Sequence, residues 1–106
     1  MAENKKIKLG MVVAEFNYEV TSLMEKRAYA EAEFLEVEIT ENVHVPGVFE
    51  IPLAVDRMLN SCKDLDGVVT LGAVITGETG HDQVVISQSS RQIADHSLKY
   101  GKPVAF

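Results

Sequence analysis

Apolar positions fall into two alternating patterns along the chain, short unbroken runs and longer stretches where they recur every third or fourth residue. Ile7 to Ala14 is a run of the first kind, as expected for a strand covered on both faces in a parallel sheet. It ends in Glu15-Phe16-Asn17, where Asn17 reads as a helix N-cap. Val20, Leu23, Met24, Ala28, Ala32 and Leu35 then mark the apolar stripe of a long first helix. From Val37 the period becomes two: Val37, Ile39, Val43 and Val45 alternate with Glu38, Thr40, Asn42 and His44, and Glu41 breaks the apolar face once. That is the pattern of a half-exposed edge strand. Pro46-Gly47 turns the chain into a second helix marked by Ile51, Ala54, Val55, Met58 and Leu59, with Pro52 early enough to sit in its first turn.

Leu65 to Ile75 has few polar interruptions and predicts a central buried strand. Gly77 to His81 leads into a third helix carrying Val85, Ile86, Ile93, Ala94 and Leu98. Gly101 suits its stop, and Pro103 precedes a fourth strand opening at Val104-Ala105-Phe106. Alternating strands and helices predict one α/β domain over residues 1–106, with a parallel sheet, right-handed crossovers and helices on both faces. A buried-type strand opens just before Phe106 with no helix after it, so a domain truncated at its C-terminus is expected.

Composition narrows the function classes. Hydrophobic residues at 46% and charged residues at 25% suit a globular core, and a chain of this size gains from oligomerisation. The net charge of −6 argues against nucleic acid as a partner. Cys62 is the sole cysteine, which leaves no disulfide framework and no paired thiols for zinc, and reads as a buried, inert thiol. No run reaches the length of a membrane span, and Met1 to Leu9 lacks the apolar region of a signal peptide, so a cytoplasmic setting without membrane is expected.

In open α/β sheets ligands bind past the carboxyl ends of the strands. Those ends carry Phe16 and Asn17, then Gly47, Val48, Phe49 and Glu50, then Gly77, Thr79, Gly80 and His81. A loop entering a helix there can seat an anion on its backbone N–H groups, and the helix dipole would keep His81 neutral and able to act as a base. Each residue also has a plainer reading. His81 as a solvated loop histidine, Glu50 as an electrostatic aid to a helix N-terminus, and Phe16 and Phe49 as core aromatics all remain open at this stage. His44 and His96 read as surface positions.

Three segments together carry a resemblance: Val13-Ala14-Glu15-Phe16-Asn17, Val45 through Pro52, and Gly72 through His81. In order and spacing they resemble the lumazine synthase family, over about Lys8 to Phe106. The resemblance implies a flavodoxin-like three-layer α/β/α sandwich, lacking its C-terminal helices, in a homopentamer or a shell of pentamers. It implies condensation of 5-amino-6-(ribitylamino)uracil with 3,4-dihydroxy-2-butanone 4-phosphate in riboflavin biosynthesis, with small-molecule substrates and neither metal nor organic cofactor. By the same resemblance Phe16 would stack on the pyrimidine, and Asn17, Val48 and Glu50 would meet the ribityl chain, with Phe49 in the same substrate-facing set. Val74 and Ile75 would offer backbone hydrogen bonds, Thr79 and Gly80 would bind phosphate, and His81 would shuttle protons. Phe106 matches a position lent to a neighbouring subunit's site. Asp82 departs from the aromatic that many members carry there, and the family's later segment, with its phosphate-binding arginine, has no counterpart. The alternative is an inactive or truncated subunit that forms oligomers and binds flavin-like ligands. The related riboflavin synthase is less similar in the Gly77 to His81 segment.

Overall fold

The computed structural model describes residues 6–75 and 81–106, the side chain of His81 excepted. Its elements follow in the order β1 (Lys8–Ala14), α1 (Tyr18–Phe34), β2 (Glu38–Val45), α2 (Ile51–Ser61), β3 (Gly67–Leu71), α3 (His81–Tyr100) and β4 (Val104–Ala105). A single 3-10 turn at Val48–Glu50 leads into α2. The strands pair in parallel in the order β2-β1-β3-β4. The crossover from β1 to β2 moves one way along the sheet, and that from β2 to β3 moves back across β1. Right-handed connections therefore put α1 on one face and α2 and α3 on the other. The result is the expected flavodoxin-like α/β/α arrangement.

Met11 to Ala14 in β1 are all at most 1% exposed, as a strand covered on both faces requires. Val12 and Ala14 join Ile51, Val55, Leu59 and Val68 in a cluster closed by α2 and α3, while Met11 and Val13 lie on the opposite face, toward α1. Burying each such side chain stabilises the fold by about 1.5–3 kcal/mol. Gly10 shares the α2 face, and a Cβ there would run into Met58, so its lack of a side chain is what brings α2 close to β1. At the edge strand β2, Leu9 pairs with Ile39 but Gly10 pairs with Glu41. Thr40 is thus an inserted residue, and the bulge turns the alternating apolar positions from the α1 face at Ile39 to the α2 face at Val43 and Val45.

Three expectations need correction. β3 ends at Leu71 rather than running to Ile75, because an apolar run reads the same whether it pairs in a ladder or packs as a loop. The stripe expected on α1 is rotated: Thr21 is fully buried and Met24, Glu25, Ala28 and Ala32 are half-buried, while Val20, Leu23 and Leu35 are exposed. Along α3 the inward line is Val85, Ser89, Ile93 and Tyr100, with Ile86 and Leu98 outside. Ser89 donates to the Val48 carbonyl at 3.3 Å, so a polar residue occupies a place in that line where periodicity favours an apolar one.

The stop of α3 is as expected. Gly101 has φ 65° and the Lys102 N–H reaches back to the Ser97 carbonyl at 3.2 Å, the closing bond of a Schellman motif. Among the described residues no helix is long and apolar enough to cross a membrane.

Candidate functional site

The winding direction reverses between β1 and β3, so the crevice of the switch point opens past Ala14 and Leu71. The chain leaving β1 stays attached to the neighbouring strand end. The Glu15 N–H donates to the Val45 carbonyl at 2.8 Å and the Phe16 N–H to the Pro46 carbonyl at 2.9 Å. Asn17 then takes a left-handed conformation, φ 65° and ψ 47°, which asparagine tolerates better than most residues. It stands at the N-cap of α1 as expected, but its side chain does not cap the helix. Instead its amide donates to the Ala73 carbonyl at 2.6 Å, across the switch point. One asparagine thereby ties the first junction to the third.

The second junction is built around Val48, which is 6% exposed and packs so close to Gly72 that a Cβ there would lie 2.6 Å from Val48 Cγ2. Its side chain belongs to the core, which leaves main-chain groups as its means of meeting a ligand. Phe49 is 52% and Phe16 71% exposed, so neither is a core aromatic. Glu50 is exposed and makes no side-chain cap to α2. Its Oε1 folds back over Gly47, 3.1 Å from where a Cβ on that residue would stand.

Past Leu71 the pairing with β1 ends, so Val74, half-buried, and Ile75, exposed, carry main-chain groups that are not committed to the sheet. Phe106 follows the β4 strand and is half exposed. Thr79 and Gly80 lie outside the described residues, and of His81 only its place as the first residue of α3 is described. The described junction residues thus gather at one edge of the sheet. Among the described residues no group of three or more His, Cys, Asp or Glu side chains is placed to hold a metal ion. Cys62 is half-buried rather than buried as expected; desolvation, then the charges of Glu41 and Asp64, push its thiol up, which keeps it protonated.

Beside this edge lies a cluster that the sequence did not single out. His44 Nδ1 is 3.2 Å from Glu15 Oε2, and its Nε2 is 3.0 Å from Glu25 Oε2 on α1. Asn42 Nδ2 also donates to Glu25 Oε2, at 2.7 Å. The hydrogen bond to Glu25 holds the imidazole above its ordinary range, against the effect of burial and with help from Glu15. Burial pushes Glu25 up, yet its bonds to His44 and Asn42 hold it below the usual carboxylate range. The only advance signal was that His44 and Asn42 share one face of β2. Their partners lie 17 to 29 residues away in sequence.

A family profile described as 6,7-dimethyl-8-ribityllumazine synthase matches residues 6–106. A protein of that name from Methanothermobacter thermautotrophicus is 54% identical over 101 residues, covering 95% of this chain and 72% of the relative. One from Picrophilus torridus is 54% identical over 99 residues, 93% of this chain and 72% of its own length. One from Metallosphaera sedula is 54% identical over 103 residues, 97% and 68% respectively. With a match that spans nearly all of its residues, the chain belongs to the 6,7-dimethyl-8-ribityllumazine synthase family.

Proposed function

We propose that this protein condenses 5-amino-6-(ribitylamino)uracil with 3,4-dihydroxy-2-butanone 4-phosphate to 6,7-dimethyl-8-ribityllumazine, releasing phosphate and water, as a step of riboflavin biosynthesis. The observation that carries the reading is the convergence of the strand-end junctions at the switch point in a member of this family. Joining an amine to a ketone needs the two partners held together and modest proton transfer, which a shaped edge with one proton carrier can supply.

In this reading Phe16, exposed at the end of β1, stacks on the pyrimidine ring. Asn17 has its amide N–H committed to Ala73 and offers Oδ1 to the ribityl hydroxyls. Val48 offers a backbone group, Glu50 its carboxylate and Phe49 an apolar wall. Val74 and Ile75 offer main-chain hydrogen bonds to the ring. Thr79 and Gly80 hold the phosphate near the start of α3, where the helix dipole favours an anion. His81 moves protons during imine formation and phosphate loss. No metal or organic cofactor enters the scheme.

The same reading includes assembly into homopentamers or shells of pentamers, with Phe106 lent to a neighbour's site, and a cytoplasmic setting. The exposed apolar residues of α1 support association. Mixing the purified protein with both substrates should produce the absorbance and fluorescence of the lumazine. A protein that binds flavin-like ligands and assembles, yet forms no product, would support the reading as a non-catalytic subunit instead.

A further inference from the structure

The cluster beside the site edge has a geometry that calls for one protonation state. Both ring nitrogens of His44 face carboxylate oxygens, Glu15 on one side and Glu25 on the other. A carboxylate only accepts, so both nitrogens must donate, and only the imidazolium has two N–H groups. A neutral ring would turn a lone pair toward one of the two carboxylates. The partners are unequal. Glu25 has a side chain 19% exposed, sits 3.0 Å from the ring and is also held by Asn42, whereas Glu15 is 56% exposed, 3.2 Å away and without a second side-chain donor among the described residues. On deprotonation the Glu15 contact is the one that lapses.

Glu15 is bonded directly to Phe16, whose ring is 71% exposed and is not packed into the core. Two main-chain bonds to the β2 end fix the backbone of these residues, and the Glu15 side chain is the remaining tether on this face. We propose that His44 is a positioning residue for Phe16, acting through Glu15, and that it holds the aromatic ring in its substrate-stacking place only while the imidazole is doubly protonated. The inference rests on the condensation reading for the role of Phe16. The charged and titratable groups around His44 are Glu15 from the β1–α1 junction and Glu25 from α1, with Tyr29 of α1 reached through Asn42. From β1 the paired residue is the apolar Val13.

The test is steady-state kinetics of the intact protein from about pH 5 to 9, bracketing an imidazole titration. In the native protein the KM for the pyrimidine rises as His44 loses its proton, by about two- to five-fold, the worth of a partly exposed ion pair. H44A and E15A, in which the tie cannot form, hold the higher KM at every pH, and H44R, which stays charged, holds the lower one. E15A leaves the tie between His44 and Glu25 in place, so it separates positioning from stability should H44A loosen the fold. Variants that reproduce the native KM profile, or that lower kcat with KM unchanged, overturn the proposal.

A native protein that forms no lumazine at any pH refutes the condensation reading instead. The tether is then judged by fluorescence. The chain has no tryptophan, so F16W introduces a sole indole beside Glu15. A step in its emission at the His44 titration that vanishes in F16W/H44A upholds the link, whereas an unchanged step, or none in either variant, overturns it.

Discussion

At the scale of single residues, two positions set the shape of the candidate site's edge by opposite means. Asn17 accepts a left-handed backbone and spends its side chain on the Ala73 carbonyl. N17A loses both the hydrogen bond and the asparagine's tolerance of positive φ, whereas N17G loses only the bond. In urea melts N17A should therefore fall below N17G by about 1 kcal/mol. Equal stabilities would mean that the backbone conformation carries no cost. Gly72 works by absence, since an added Cβ would meet the buried Val48 side chain at 2.6 Å. G72A should cost about 1–3 kcal/mol as overpacking, and less in a V48A background, where the clashing methyl groups are gone. The sequence placed Asn17 at the right position, the start of α1, because capping residues favour it. It did not disclose the partner, since Ala73 lies 56 residues away.

Among elements, the strand-to-helix alternation was legible and the facing of the helices was not. Periodicity marks the apolar stripe of α3 but cannot tell that Ser89 turns inward to reach Val48, or that Leu98 remains outside at 83% exposure. Polar ties across elements were equally hidden. Asp56 on α2 accepts from the Tyr100 hydroxyl of α3 at 2.6 Å, and Lys99 Nζ lies 3.4 Å from the same carboxylate oxygen. The Tyr100 hydrogen bond leads in holding the Asp56 carboxyl below its usual range, against burial and with Lys99 and His96 assisting. A carboxyl with a lowered folded pKa contributes stability above its unfolded value, here 3.8, and loses it as pH falls through the lower folded value. Y100F removes the first of these causes. The Asp56 titration, followed by carboxyl NMR, should then move up toward 3.8, and the acid limb of stability should weaken. A titration that stays where it was in the native protein would show that the phenol does not support the carboxylate.

Over the whole molecule, the convergence of the strand carboxyl ends follows from a parallel sheet joined by helical crossovers, which is why an edge-based site could be argued from sequence, whereas the order β2-β1-β3-β4 came only with the structure. What crossovers cannot supply is the cover of α1. Its sheet-facing side holds Thr21 and half-buried small residues, while Val20 and Leu23 join Met24 and Ala28 in a shallow apolar face flanked by Arg27 and Glu31. Apolar area left in water favours association at about 25 cal/mol per Å² once it is covered. V20K/L23E should therefore shift sedimentation toward smaller species at equal concentration. Because Val20 and Leu23 are 45% and 63% exposed within the chain, the intrachain cost should stay within about 0.5 kcal/mol, as for other surface changes. An unchanged sedimentation profile would show that this face is not where copies meet. A large loss of stability in the dissociated species would show instead that the stripe packs within the chain more tightly than its exposure indicates.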